Sequence, residues 1–347
     1  MIERLQKPCP ARRYIARAFF CEIFDYNKAM NLIEAFEQNL IDGLNTSSPD
    51  KTIETIISKI FFYEEKVFKI YKYEKFFFGD FTSLQFRKDF YFEDFSQNQL
   101  MAPEVYLFLR GVKKAGDKYL FSGREEAEDF FIEMKKFDDN NNLTNLLLGK
   151  KIDKIQLGTI AEEMVLRLKK LTEAKRDKYK NYFKNRLLDI HIADLESDKN
   201  LLYLIPSNVP KEKVDKIIGL ALKASLKNRY YLDYNSDNLS ILIDNHADNI
   251  VFLNGKVQFI DVLPPKESWR VGDLNFVICR LATDVAVLGS SKLADAVYVN
   301  CEAMPEKIKR IYEIRSALIQ AWCFYSVNKS EIAEKYLKFA EEKALSL

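Results

Sequence analysis

The sequence predicts an α+β fold in two lobes, a small β-rich N-lobe followed by a large helical C-lobe, and three observations carry that reading. Between Ile53 and Phe137, short runs of β-branched and aromatic residues alternate with turn residues. From Leu143 onward, apolar residues recur every three or four positions. One stretch interrupts that helical period: an apolar run from Leu239 to Ile243 ends on Asp244, Asn249 opens Ile250-Val251-Phe252-Leu253, Asn254-Gly255 turns the chain, and a second short strand ends on Asp261.

Size and charge narrow the classes. At 347 residues the chain is long enough for two cores, and 48% hydrophobic with 30% charged residues describes a globular protein with a filled interior. Basic and acidic side chains number 53 and 51, a net charge of +2. That balance gives no support to a nucleic-acid or membrane-surface partner, both of which lean on large positive patches. No run approaches the length of a membrane-spanning helix, and the first residues, Met1 to Pro8, lack the apolar centre of a signal peptide. Cys9, Cys21, Cys279, Cys301 and Cys323 are scattered without a C-x-x-C pair, as expected of reduced thiols in a cytoplasmic protein, with Cys279 and Cys323 in the core. Oligomeric state is left open.

Taken in order, residues 1–50 read as a helical leader, with Met30, Ile33, Phe36 and Leu40 on one face, Gly43 as a stop and a loop from Asn45 to Asp50. Arg12, Arg13 and Arg17 in it fit a solvated face. Residues 51–138 form the N-lobe. Ile56 to Tyr63 and Lys66 to Lys72 make a hairpin turning at Glu64-Glu65. Lys69 lies between Phe68 and Ile70, where a charge needs a carboxylate or phosphate partner unless the strand is an edge strand and the lysine points to water. Thr82 or Ser83 caps a helix carrying Phe86, Phe90, Glu93 and Asp94, which offers Glu93 or Asp94 to Lys69 and ends at Pro103. Three strands follow, from Val105 to Leu109, Lys118 to Phe121 and Asp129 to Met134.

Residues 139–347 form the C-lobe. Helices are expected over Leu143–Leu148, Ile155–Leu171, Tyr179–Ile190, Lys211–Leu226, Val271–Val287, Pro305–Val327 and Lys329–Leu347. His191 has no second histidine or cysteine nearby and reads as structural or exposed rather than metal-bound. The spacing Asp244-x4-Asn249-x11-Asp261 is the chemically informative part. Phosphoryl transfer needs a carboxylate to orient or accept the proton of an attacking hydroxyl, and an amide oxygen with a second carboxylate to hold magnesium. Asp and Asn are also common turn residues, so the stretch alone does not decide.

Five stretches in common order decide it. Glu54-Thr55-Ile56-Ile57-Ser58, Phe68-Lys69-Ile70-Tyr71-Lys72, Asp80-Phe81-Thr82-Ser83-Leu84, Met101-Ala102-Pro103-Glu104-Val105-Tyr106 and Leu242-Ile243-Asp244-Asn245-His246-Ala247-Asp248-Asn249 resemble the corresponding stretches of the aminoglycoside phosphotransferase-like kinases, within them an uncharacterised bacterial branch. The resemblance implies a two-lobed protein-kinase-like fold with ATP and Mg2+ as cofactors, and a nucleotide and a small-molecule acceptor as partners. It implies that Lys69 contacts the α- and β-phosphates with Asp94 or Glu93 as its carboxylate, and that Met134, Lys135 and Phe137 belong to the segment that meets adenine. Asp244 would be the catalytic base, Asn249 and Asp261 the magnesium ligands, His246 a neighbour shaping the loop, and Asp273, in the segment Trp269-Arg270-Val271-Gly272-Asp273, a brace behind it. Leu242-Ile243 stands where the family has His-Gly, Ile56 where it has His, and Val262-Leu263 where Phe-Gly follows the metal-binding Asp. The turn from Phe62 to Lys66, expected over the phosphates, has no glycine and two acidic residues. The function implied is an ATP- and Mg-dependent phosphotransferase acting on a hydroxyl. The alternative is a catalytically inactive pseudokinase serving as a nucleotide-binding or protein-interaction module. Asp189, Asp194, Glu196 and Asp198 supply either an acidic acceptor pocket or a solvated loop.

Overall fold

The computed structural model describes residues 30–44, 48–182, 187–204, 209–234 and 238–347. Arg12, Arg13, Arg17, Cys9, Cys21 and most of the expected leader lie outside these residues. The described chain opens on α1 (Leu32–Glu37), started by a reciprocal cap in which Asn31 accepts from the Glu34 N–H and Glu34 accepts from the Asn31 N–H. Leu32, Ala35 and Phe36 bury against Phe61, Phe68 and Phe131, so this segment packs into the core of the sheet that follows.

That sheet contains β1 (Ile41–Asp42), β2 (Lys51–Glu54), β3 (Ser58–Phe62), β4 (Lys66–Tyr71), β7 (Tyr106–Ala115), β8 (Lys118–Ser122) and β9 (Asp129–Lys135), in the order β1-β8-β7-β9-β4-β3-β2. Only β1 with β8 is parallel. A small hairpin, β5 (Lys75–Phe76) with β6 (Gly79–Asp80), leads into α2 (Leu84–Met101), capped by Ser83. The two faces of β4 explain its composition. Phe68 and Ile70 point to the α1 side, while Val67 and Tyr71 point with Phe130, Ile132 and Met134 to the α2 side. Lys69 shares the parity of Val67 and Tyr71 and is only 4% exposed, which removes the edge-strand reading.

The C-terminal part is helical: α3 (Leu143–Leu148), α4 (Lys154–Lys175), α5 (Leu187–Leu204), α6 (Lys211–Lys227), α7 (Arg229–Tyr234), α8 (Leu274–Leu288), α9 (Ser291–Tyr298), α10 (Glu306–Ser326) and α11 (Ser330–Leu345). Between α7 and α8 lie β10 (Leu239–Ile241), the hairpin β11 (Ile250–Leu253) with β12 (Lys256–Phe259), and β13 (Val271–Asp273), which pairs with β10. Two helix boundaries differ from the sequence expectation. Of the helix expected over Tyr179–Ile190, the described residues are helical from Leu187, and that helix, Leu187–Leu204, takes in Asp189 to Asp198. Val271 to Asp273 is strand, and Asp273 caps α8 by accepting from the Asn275 N–H at 2.9 Å. Cys279 is buried, whereas Cys323 is only partly so. Among the described residues no helix is long and apolar enough to cross a membrane.

Candidate active site

Strand parity aims Lys69 at α2, and Asp94 is the carboxylate it meets, Nζ to Oδ2 3.5 Å. The same ammonium contacts Asp261 Oδ1 from the other lobe. Asp94 is held in turn by the Tyr71 hydroxyl at 2.5 Å and by Asn98 Nδ2 at 2.7 Å. Burial disfavours the charged lysine, but Asp261 and Asp94 outweigh it and raise its pKa. Burial likewise opposes ionised Asp261, yet Lys69 overrides it and holds that carboxylate below its ordinary value. For Asp94 burial wins over Lys69 and its pKa rises, which matches the longer contact.

Glu93 is not the partner of Lys69. One residue along a helix turns the side chain by about 100°, and Glu93 faces α4, accepting from Gln97 at 2.7 Å, Tyr179 at 3.0 Å and Lys175 at 3.3 Å, with Lys178 also in contact. Burial alone would raise its pKa, but these partners bring it down to about 2. The segment expected to meet adenine is also more occupied than the resemblance implies. Met134 is buried in the sheet core, Lys135 donates its N–H to Val105 O at 2.8 Å, Lys136 donates to Glu65 O at 3.2 Å, and Phe137 packs on the apolar cluster under α2.

That Lys136 contact also bears on the turn expected over the phosphates. Tyr63 to Glu65 stands beside Lys136, so the acidic pair lies at the end of the sheet assigned to the base. The turn at the opposite end is Thr55 to Ile57, between β2 and β3, tied by a Thr55 Oγ1 to Ser58 Oγ hydrogen bond of 2.8 Å, with Ile56 46% exposed at its tip.

The second half of the site is built by backbone bonds. Strand β10 delivers the chain to Asp244, whose N–H donates to Val262 O at 2.9 Å. Asn249 Nδ2 donates to Asp244 O at 2.9 Å, and the Ile260 N–H donates to Asn249 O at 2.9 Å. Asn249 and Asp261 therefore flank the same end of the β11–β12 hairpin, Asn249 one residue before Ile250 and Asp261 two residues after its partner Phe259. Asp261 has φ 51, in the left-handed region that Asp tolerates better than most residues. Tyr106 pins it there, its hydroxyl accepting from the Asp261 N–H at 3.0 Å and donating to Oδ1 at 3.1 Å. The side chains of Asp244 and Asp261 remain 35% and 37% exposed.

Among the described residues no three His, Cys, Asp or Glu side chains gather as a self-sufficient metal cage. The Asn249 amide oxygen and the Asp261 carboxylate fit a different requirement, that of magnesium, which takes hard oxygen donors and shares its coordination with substrate phosphates and water.

Asn98, Asp284 and Arg280 escaped the sequence, whereas His246, Asp273, His191, Asp194 and Asp198 are residues it singled out. Asn98 bridges the lobes, its Oδ1 accepting from the Val262 N–H at 3.2 Å; its signal was the i+4 position from Asp94. Asp284 is buried and accepts from the Ala247 N–H at 2.7 Å, from Tyr336 at 2.8 Å and from Gln320, which fixes the turn over Ala247–Asn249. Arg280 Nη2 meets Asp244 Oδ1 at 2.6 Å, and His246 Nε2 lies 4.0 Å from Oδ2. Asp273 accepts from Asn238 at 2.7 Å and Tyr312 at 2.8 Å, behind β10. His191 is buried against Ser225, and burial with Arg315 lowers its pKa to about 3. Asp194 and Asp198 form neither an open acidic pocket nor a solvated loop: both are buried on α5 against Arg315, at 2.7 and 3.1 Å.

No protein-family model matches the sequence, and comparison with curated proteins gives no match. Solved structures similar in three dimensions include three aminoglycoside phosphotransferases. The GDP complex of wild-type aminoglycoside 2'-phosphotransferase-IIIa superposes with TM-score 0.52 at 11% identity, covering 88% of this chain and 94% of that one. The GDP and kanamycin complex of APH(2")-IIia gives 0.51 at 9%, covering 87% and 96%. A thermostable mutant of APH(4)-Ia in its apo form gives 0.50 at 12%, covering 86% and 95%. At such identities the likeness speaks for the fold: the chain has the two-lobed, protein-kinase-like α+β architecture of the aminoglycoside phosphotransferases.

Proposed function

We propose that the protein is an ATP- and magnesium-dependent phosphotransferase that phosphorylates a hydroxyl of a small-molecule acceptor. The observation that carries this is the convergence on Lys69 of Asp94 from α2 and Asp261 from the β11–β12 hairpin, with Asp244 and Asn249 on the loop that opens that hairpin. A buried lysine shared by two carboxylates is a costly arrangement for a fold to keep. As a phosphate-binding group it has a use: Lys69 holds the α- and β-phosphates, Asp94 orients it, and Asn249 and Asp261 hold the metal. When bound, magnesium supplies positive charge that offsets the triphosphate. Asp244 accepts or orients the acceptor's hydroxyl proton, and its side chain stays partly open, 35% exposed.

A pseudokinase is the second reading, favoured by the engaged N–H groups of Lys135 and Lys136 and by the apolar Ile56 at the tip of the Thr55–Ile57 turn. Thermal unfolding with ATP and magnesium, compared with ATP and a chelator, tests the metal-dependent site. The proposal expects a clear stabilisation only in the first condition, lost in Asp261→Asn and kept in Asp244→Asn. Equal shifts in both conditions, or none in either, remove the metal-dependent reading.

A further inference from the structure

Within this phosphotransfer reading, on which it rests, we propose that Arg280 is the positioning residue of the Asp244 carboxylate, anchoring Oδ1 so that Oδ2 is the oxygen presented to the acceptor hydroxyl. Helix α8 makes the case. Val277, Arg280 and Asp284 lie three and four residues apart, on one face of the helix, and each addresses a different point of the same loop. Val277 O accepts from Asn245 Nδ2 at 2.8 Å, Arg280 Nη2 meets Asp244 Oδ1 at 2.6 Å, and Asp284 accepts from the Ala247 N–H at 2.7 Å. Two of these contacts fix loop atoms that take no part in chemistry. The third fixes the side chain to which the phosphotransfer reading gives the acceptor's proton.

The environment of Arg280 makes the pairing specific. Its side chain is 11% exposed, and its Nε is buried without a hydrogen-bond partner among the described residues. A desolvated guanidinium with so few alternatives depends on the carboxylate it meets. Asp244 is three times more exposed than Arg280 (35% against 11%), so the pair is open on the carboxylate side. Arg280 bonds Oδ1, and Oδ2, with His246 Nε2 at 4.0 Å, is the oxygen outside that hydrogen bond. A carboxylate pinned through one oxygen keeps the other within the narrow range of positions from which it can take a proton; misplacement by about 1 Å costs on the order of 10²-fold in rate.

The test uses the full chain with ATP, magnesium and a panel of small hydroxyl acceptors. Arg280→Ala is expected to lower kcat by about 10²-fold, to leave the nucleotide-induced thermal shift unchanged, and to regain turnover when methylguanidinium is added. In an Asp244→Asn background, Arg280→Ala should cost little more, because a residue acting through Asp244 has nothing left to position. If Arg280→Ala does not fold, Arg280→Gln, similar in shape and neutral, carries the same comparison. Wild-type kcat in Arg280→Ala or Arg280→Gln, or a loss that multiplies in full on top of Asp244→Asn, overturns the inference while the phosphotransfer reading stands. A wild type that consumes no ATP with any acceptor or with water overturns the phosphotransfer reading, and the inference with it.

Discussion

Glu93 and Asp94 are neighbours in sequence and face opposite tasks. Asp94 meets Lys69 across the sheet, and Glu93 ties α2 to α4. Asp94→Asn should therefore cut turnover by reducing the charge that orients Lys69, measured as kcat at saturating ATP, with a loss of about 10-fold or more for a charge-assisted buried contact. Glu93→Gln should leave kcat near wild type and change stability instead. The folded pKa of Glu93 is about 2, below the unfolded value of about 4.3. Its stabilisation is thus present above about pH 4 and lost as pH falls toward 2. Urea melts between pH 2 and 7 should show a smaller acid-induced loss in Glu93→Gln than in wild type; identical slopes would contradict the assignment. The sequence placed a carboxylate opposite Lys69 but left two candidates, because choosing between adjacent helix positions requires the phase of α2 relative to β4, which only packing sets.

At the scale of elements, the hairpins set which turn lies at which end of the N-lobe sheet. Strand β2 was not separated from its neighbours in the sequence because Lys51-Thr52-Ile53-Glu54 is an exposed edge with a single apolar residue. With it, Thr55 to Ile57 and Glu64-Glu65 are turns at opposite ends of β3, and under the proposed function the phosphates belong beside one of the two. Glu64→Ala should leave ATP-induced stabilisation unchanged, whereas Ile56→Glu should weaken ATP binding by about 1 kcal/mol for one like-charge contact near 4 Å in a water-like medium. Titration calorimetry of both variants distinguishes the two turns, and the reverse pattern would return the phosphates to the acidic one. Helix α8 is the other element with a decisive role. Asp284→Ala leaves the Ala247 N–H, the Tyr336 hydroxyl and the Gln320 amide without their acceptor, and should lower unfolding free energy by about 3 kcal/mol, read from denaturant melts.

At the scale of the molecule, residues 69, 94 and 261 meet although up to 192 positions separate them. The order of short stretches from Glu54 to Asn249 made the two-lobed fold legible, since each stretch lies at a turn, strand or helix start whose chemistry is local. What stayed illegible was long-range and buried: Arg280 on Asp244, Asp284 under the loop, Asn98 between the lobes, and Arg315 neutralising Asp194 and Asp198. In each case partners far apart in sequence are selected by packing, and no local pattern announces them. The last of these removes two of the four acidic side chains expected of an acceptor pocket, since both are already paired with Arg315.

Phosphate transfer by this arrangement is read from ATP consumption with magnesium and a panel of small hydroxyl acceptors, run on wild type and Asp244→Asn in parallel. Acceptor-dependent turnover is expected in the wild type, with a loss of about 10²–10⁴-fold in Asp244→Asn, the usual contribution of a positioned general base, and nucleotide binding retained. Turnover that survives Asp244→Asn unchanged, or a wild type that binds ATP and magnesium and turns over nothing, would contradict the phosphotransfer reading.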